Sequence, residues 1–119
     1  MICIDTSALM ALALNEPEAD AIAAALGAHA SPLISAVTLA EALVVARRRG
    51  IGDPMATLLE RLSVDVQPVT GATAVSVAAA YEQWGKGVHP AGLNFADCFA
   101  YVVAKQNDLG CCRFHGHRV

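Results

Sequence analysis

The sequence predicts one α/β domain in which helices cover both faces of a short parallel sheet, giving three layers. Short apolar runs that suit strands alternate with longer helical segments, a pattern typical of parallel sheets. The first run, Ile2-Cys3-Ile4, is continuously apolar, as expected of a strand buried on both faces. A chain of 119 residues suits one such domain and is short for two, so we expect a single domain over residues 1–119.

The elements of the first half are predicted from apolar runs and from the residues that cap helices. Residues 2–5 are expected to form the central strand, and Thr6 or Ser7 to cap the helix that follows and reaches Leu14. The next elements are a helix from Pro17 to about Gly27, a strand at 32–35 ending in the cap Ser35, and a helix from Ala36 to Arg49.

The second half continues the alternation. Asp53 is expected to cap a helix with Pro54 in its first turn, running to about Leu62. The remaining predicted elements are a strand from Val64 to Val66 near the sheet edge, a helix from Gly71 to Trp84 capped by Thr70, a loop over 85–92, a helix from Asn94 to about Gln106, and a fourth strand at 111–115.

Composition bounds the function. Hydrophobic residues make up 55% of the chain and charged residues 16%, so part of the apolar excess is expected in a protein–protein contact. The net charge of −3 argues against a generic nucleic-acid binder, but not against a nuclease with its own acidic metal site. There is no signal peptide pattern and no apolar span of 18 residues, and the four cysteines suit a reducing compartment. We therefore expect a cytoplasmic protein without membrane contact.

Three acids are candidates for chemistry. Asp5 follows the first strand, where open α/β sheets bind their ligands, although a turn or capping role is an alternative. Glu41 lies in the middle of an apolar helix without a partner at i+4, and a solvated helix face is its alternative. Asp97 lies three residues after Asn94, so a capping box is a serious alternative.

The predicted topology brings these acids together. Helices that follow parallel strands begin at the same carboxyl edge of the sheet, so Asp5, Glu41 and Asp97 can converge there. Clustered carboxylates repel one another unless they are protonated or bridged by a cation. Hard oxygen ligands select Mg²⁺ or Mn²⁺ over zinc, and an open carboxylate site of this kind is suited to phosphodiester hydrolysis.

Three segments also resemble a known family. Ile4 to Ala8, Ile34 to Ala42 and His89 to Tyr101 are similar, in order and spacing, to the signature segments of PIN-domain ribonucleases. The similarity is greatest to the VapC toxins of bacterial toxin–antitoxin pairs and extends from residue 1 to about 109.

The resemblance implies a PIN-like α/β/α fold and a Mg²⁺- or Mn²⁺-dependent endoribonuclease. It also implies a VapB-type antitoxin as partner and a homodimer. Asp5, Glu41 and Asp97 match the first three metal-site acids of the family, and Ser7 matches the hydroxyl that commonly supports the site.

The C-terminal tail departs from the family pattern. Family members usually carry a fourth acid in a last strand, whereas the last acid of this chain is Asp108 and residues 110–119 are atypical. The alternative function is therefore a catalytically weak binding module that keeps its antitoxin and dimer surfaces. Cys111, Cys112, His115 and His117 are four possible zinc ligands, but adjacent cysteines make poor joint ligands of a tetrahedral ion.

Overall fold

The computed structural model describes residues 2–27 and 31–107, so the fourth strand expected at 111–115 and the possible zinc ligands lie outside the described residues. Within these two stretches the chain forms six helices and a two-stranded parallel sheet, which confirms the α/β class. In order, the elements are α1 (Thr6–Ala13), α2 (Ala19–Gly27), β1 (Leu33–Ser35), α3 (Ala36–Arg48), α4 (Gly52–Leu62), β2 (Asp65–Gln67), α5 (Gly71–Trp84) and α6 (Phe95–Gln106).

The sheet has the predicted order but not the predicted centre. β1 pairs with β2 in parallel, with Leu33 opposite Asp65, and on its other side β1 forms a single parallel bridge from Leu33 to Cys3. Two hydrogen bonds hold this bridge, from Ile4 N to Leu33 O at 2.9 Å and from Leu33 N to Ile2 O at 2.8 Å. The prediction of a central strand at 2–5 is therefore wrong for the described part, where β1 lies in the middle and the bridge is too short to make 2–5 a strand.

Apolar packing divides into two main clusters. The first holds α1 against α3 and α4 around fully buried side chains, among them Leu9, Ile34 and Met55. The second holds α5 against α6 and includes Val77 and Phe99. Helix α6 also packs against α3 and β1, and its residues Val103 and Ala104 are buried with Cys3 and Leu33 beside the sheet.

Most predicted helix caps are confirmed. Ser35 accepts a hydrogen bond from Val37 N, Thr70 accepts one from Thr73 N, and Asn94 accepts one from Asp97 N. In each case a short polar side chain satisfies a backbone N–H that the first turn of a helix leaves unpaired.

Two predicted caps are wrong. The cap of α1 is Asp5 and not Thr6 or Ser7, because the extended backbone persists through Asp5 and the helix starts one residue earlier than expected. Helix α4 begins at Gly52 after Ile51, with no side-chain cap from Asp53. The turn between α3 and α4 is tight, and Ile51 N already donates to Ala46 O at 2.9 Å.

None of the helices in residues 2–27 and 31–107 has the length and apolar character needed to cross a membrane. The elements are short, and their order places the start of α1 and the start of α3 beside the bridged pair Cys3 and Leu33. This arrangement sets the position of the acids considered next.

Candidate active site

Asp5 is a buried carboxylate with a defined set of donors. It is 7% exposed, and its Oδ1 accepts hydrogen bonds from Ser7 Oγ at 3.0 Å and from Ala8 N at 2.9 Å. Burial of a charged group without such donors is strongly unfavourable, so these bonds are what keep an acid at this position. The capping role that was the alternative explanation of Asp5 is therefore confirmed. A carboxylate that caps a helix can also bind an ion.

Glu41 is held by the residue that follows Asp5. Thr6 Oγ1 donates to Glu41 Oε1 at 2.6 Å, which links the first residue of α1 to the middle of α3. The same hydroxyl lies 3.4 Å from Thr38 O, a longer contact to a neutral acceptor. Glu41 is half-buried, so it is a hydrogen-bonded group between two helices and not simply part of a solvated helix face.

Asp97 forms the capping box that was its alternative explanation. Asn94 N donates to Asp97 Oδ2 at 3.0 Å, and Asp97 N donates to Asn94 Oδ1 at 2.8 Å. One turn farther along the same polar face, Lys105 Nζ lies 3.5 Å from Tyr101 Oη. The Asp97 carboxylate is half-buried at the N-terminus of α6, where the helix dipole favours negative charge.

Two hydrogen bonds lie at the start of α1: Ser7 Oγ donates to Asp5 Oδ1, and Thr6 Oγ1 donates to Glu41 Oε1. The peptide bond between Asp5 and Thr6 is what joins these two bonded pairs. Among the described residues, no three His, Cys, Asp or Glu side chains form a group that could hold a metal ion. The possible ligand atoms at the start of α1 are carboxylate and hydroxyl oxygens, and oxygen ligands of this kind suit a hard divalent cation. A shared ion with Asp97 remains a prediction.

Thr6 is the residue that sequence reasoning missed. It was expected only as a possible cap, whereas the cap is Asp5 and the Thr6 hydroxyl serves Glu41. The sequence feature that could have indicated Thr6 is its hydroxyl, which directly follows Asp5. Its partner, 35 residues away, could not be identified without the packing of α1 against α3.

Cys98 adjoins the capping box and is completely buried in the second apolar cluster. Burial raises the pKa of the Cys98 thiol, and the negative charge of Asp97 raises it further. Both effects oppose ionisation, so the group at this position is the neutral thiol. Cys98 is a packing residue, and it is not suited to act as a nucleophile.

Comparison with known proteins gives the class to which this arrangement belongs. The model of the PIN domain matches residues 2–111, which is most of the chain. The match includes every residue of the hydrogen-bonded group at the start of α1.

Individual relatives indicate a more specific group within the PIN-domain proteins. Ribonuclease VapC30 of Mycobacterium tuberculosis is 43% identical over 105 residues, covering 86% of this chain and 80% of the relative. Ribonuclease VapC36 of the same species is 41% identical over 107 residues, covering 86% and 76%. Ribonuclease VapC of Mycolicibacterium smegmatis is 37% identical over 106 residues, covering 86% and 81%. The chain therefore belongs to the PIN-domain family, among its VapC-type ribonucleases.

The raised pKa of Cys98 predicts a pH dependence of stability. An unfolded thiol ionises at about pH 8.5. Because the folded thiol holds its proton more tightly, its contribution to the free energy of unfolding is complete below that pH and declines as pH rises above it. We expect urea unfolding of the parent to lose stability between about pH 8 and pH 9.5 more steeply than that of Cys98→Ala. A difference between the two proteins that does not change from pH 6 to pH 9.5 would contradict this.

Proposed function

We propose that this protein is an endoribonuclease toxin of a type II toxin–antitoxin pair that hydrolyses RNA phosphodiesters with the help of a divalent cation, Mg²⁺ or Mn²⁺. The observation that supports the proposal is that adjacent residues of the chain serve the two acids: Asp5 accepts a hydrogen bond from Ser7, and Thr6, which directly follows Asp5, donates one to Glu41. Membership of the VapC-type ribonucleases supports RNA as the substrate.

Each site residue has a proposed role. Asp5, Glu41 and Asp97 would hold the ion, and Ser7 would keep the Asp5 carboxylate in place through its 3.0 Å hydrogen bond. When bound, the cation polarises a phosphate oxygen and lowers the pKa of the attacking water. Water would attack the phosphorus and the bond from phosphorus to the 3′-oxygen would break, which leaves a 5′-phosphate and, after the leaving oxygen takes a proton, a 3′-hydroxyl. No 2′,3′-cyclic phosphate forms because the ribose 2′-hydroxyl takes no part.

The alternative is a catalytically weak PIN-like module that binds its partners without cleaving RNA efficiently. The observation that favours it is in the sequence, since residues 109–119 contain no acid, whereas the family resemblance implies a fourth acidic ligand after the last helix. With three acids the ion would be bound less tightly, and activity would require a higher concentration of Mg²⁺ or Mn²⁺. The two functions differ in whether RNA is cleaved at all.

The first test is RNA cleavage by the purified chain with and without Mg²⁺. We expect cleavage with Mg²⁺, none in EDTA, and products that carry 5′-phosphate ends. Asp5→Asn should reduce cleavage to the level seen in EDTA while the protein stays folded, because asparagine caps a helix about as well as aspartate.

The matched control is Asp53→Asn, the same exchange at an exposed acid that makes no side-chain cap, and it should cleave like the parent. Cleavage that persists in EDTA, or products with 2′,3′-cyclic phosphates, would contradict the proposed chemistry. A parent that binds its partners but never cleaves RNA would favour the binding module.

Asp97 can be tested separately because its capping role and its proposed ligand role need different atoms. Asp97→Asn keeps an acceptor for Asn94 N–H, whereas Asp97→Ala removes it and should cost about 0.5–1.5 kcal/mol of stability. We expect both variants to lose Mg²⁺-dependent cleavage and only the alanine variant to melt clearly earlier. If Asp97→Asn cleaves RNA like the parent, Asp97 is a helix cap and not a ligand.

We also propose that the protein forms a homodimer, binds a VapB-type antitoxin and resides in the cytoplasm. Large apolar side chains are strongly exposed at Val75, Val88 and Phe95, at 73%, 61% and 65%. Such exposure supports contacts with other chains. Within the described residues Cys3 and Cys98 form no disulfide bond, which suits a reducing compartment.

Light scattering of the purified chain is expected to give twice the mass of one chain, because burial of these apolar side chains favours association. Co-expression with the cognate VapB-type antitoxin should suppress RNA cleavage. A monomer at all concentrations would contradict the dimer, and RNA cleavage that this antitoxin leaves unchanged would contradict the proposed partnership.

A further inference from the structure

We infer that Thr6 is a positioning residue for the divalent ion: its hydroxyl fixes the Glu41 carboxylate beside Asp5, so that two ligands are oriented before the ion binds. The inference rests on the proposed function, because it concerns the same site. Thr6 itself is not a catalytic residue in this account, and its effect passes through Glu41.

The hydrogen bond itself is short and directed. A threonine hydroxyl has one proton, and Thr6 Oγ1 has two acceptors within reach, Glu41 Oε1 at 2.6 Å and Thr38 O at 3.4 Å. Hydrogen bonds from a hydroxyl to a carboxylate typically have lengths of about 2.5–2.7 Å and are stronger than those between neutral groups. The proton therefore goes to Glu41, and the carboxylate is the group that this hydroxyl orients.

The position of Thr6 in the chain couples the two acids. Asp5 is fixed by its bonds from Ser7 Oγ and Ala8 N, and Thr6 is joined to Asp5 by a peptide bond. The connection from Asp5 to Glu41 thus runs through one peptide bond, the Thr6 side chain and one hydrogen bond.

The bond leaves ligand capacity on both acids. It uses Oε1 of Glu41, and in the part of the chain that the structure describes no hydrogen bond reaches Oε2. In the same way, Asp5 accepts its two bonds at Oδ1. Carboxylates that bind metals are themselves commonly held by hydrogen bonds of this type, which orient them.

Apolar packing also joins the two helices, so the Thr6–Glu41 bond is not their only contact. Ala8, Leu9 and Ala42 are completely buried in the same apolar cluster of α1 and α3. A long glutamate side chain without a partner would sample several rotamers, and ordering it would then oppose ion binding. The distinctive effect of Thr6 is therefore on the side chain of Glu41.

The test compares four proteins for binding of Mn²⁺, measured from the paramagnetic resonance signal of the free ion. The variant Thr6→Val removes the hydroxyl and keeps the branched shape, and Thr6→Ser keeps the hydroxyl. The matched control is Thr38→Val, the same exchange at a hydroxyl that is buried and has no hydrogen-bond partner among the described residues. Thr38→Val keeps the backbone carbonyl that Thr6 approaches.

We expect Thr6→Val to weaken Mn²⁺ binding by about 10-fold, as removal of partners that orient ligands commonly does. Thr6→Ser and Thr38→Val should bind Mn²⁺ like the parent. RNA cleavage by Thr6→Val should require more Mn²⁺, while kcat at saturating Mn²⁺ approaches that of the parent and KM for RNA is unchanged. A purely structural role would instead lower the melting temperature in EDTA and leave the Mn²⁺ affinity of the folded protein unchanged.

Parental Mn²⁺ affinity in Thr6→Val would overturn the inference, as would an equal loss in Thr6→Ser or Thr38→Val. If Thr6→Val does not fold, Thr6→Ala gives a second protein without the hydroxyl, to which the same criteria apply. Glu41→Gln separates this inference from the proposed function. When Glu41→Gln loses Mn²⁺ and Thr6→Val does not, only the role of Thr6 is wrong. When the parent binds no Mn²⁺ or Glu41→Gln binds it normally, the proposed three-acid site fails and the inference fails with it.

Discussion

The hydrogen bonds to Asp5 are the interaction on which the candidate site depends. A carboxylate that is 7% exposed must be hydrogen-bonded, and here the first turn of α1 supplies the donors. The same bonds decide where the extended segment ends and where the helix begins. Because Thr6 follows directly, the start of α1 also determines which hydroxyl can reach Glu41. The residue at which α1 begins therefore also determines the hydrogen-bond donor of Glu41.

Two of the three candidate acids have a structural role besides the proposed one. Asp5 caps α1, and Asp97 completes the capping box of α6. Acids are favourable at the N-termini of helices, where backbone N–H groups and the helix dipole stabilise negative charge. An α/β fold whose helices begin at one edge of its sheet thus provides several places where carboxylates are tolerated. Substitutions that remove charge but keep the acceptor are the ones that distinguish the two roles.

Glu41 is different because no helix N-terminus accounts for it. It lies in the sixth position of α3, half-buried, and its hydrogen bond comes from another helix. A half-buried carboxylate needs a hydrogen-bond donor, and Thr6, 35 residues away in sequence, supplies it. The contact between α1 and α3 therefore accounts for how Glu41 is held at this position, whereas its role as an ion ligand stays a proposal.

The sequence by itself determined the class of fold and most helices. Ser35, Thr70 and Asn94 were identified as caps because a short polar residue precedes a long helical segment, and that relation is local. It also singled out Glu41 as a candidate, since an acid in an apolar segment is noticeable without any structure.

Only the tertiary structure decided which of three consecutive polar residues, Asp5, Thr6 and Ser7, caps α1. That choice depends on the residue at which the bridge to β1 ends, a contact between distant segments. The partner of Glu41 was decided in the same way by the packing of α1 against α3. Local patterns specify which groups need partners, whereas the packing of helices and strands specifies the partners, because it alone brings distant parts of the chain within hydrogen-bonding distance.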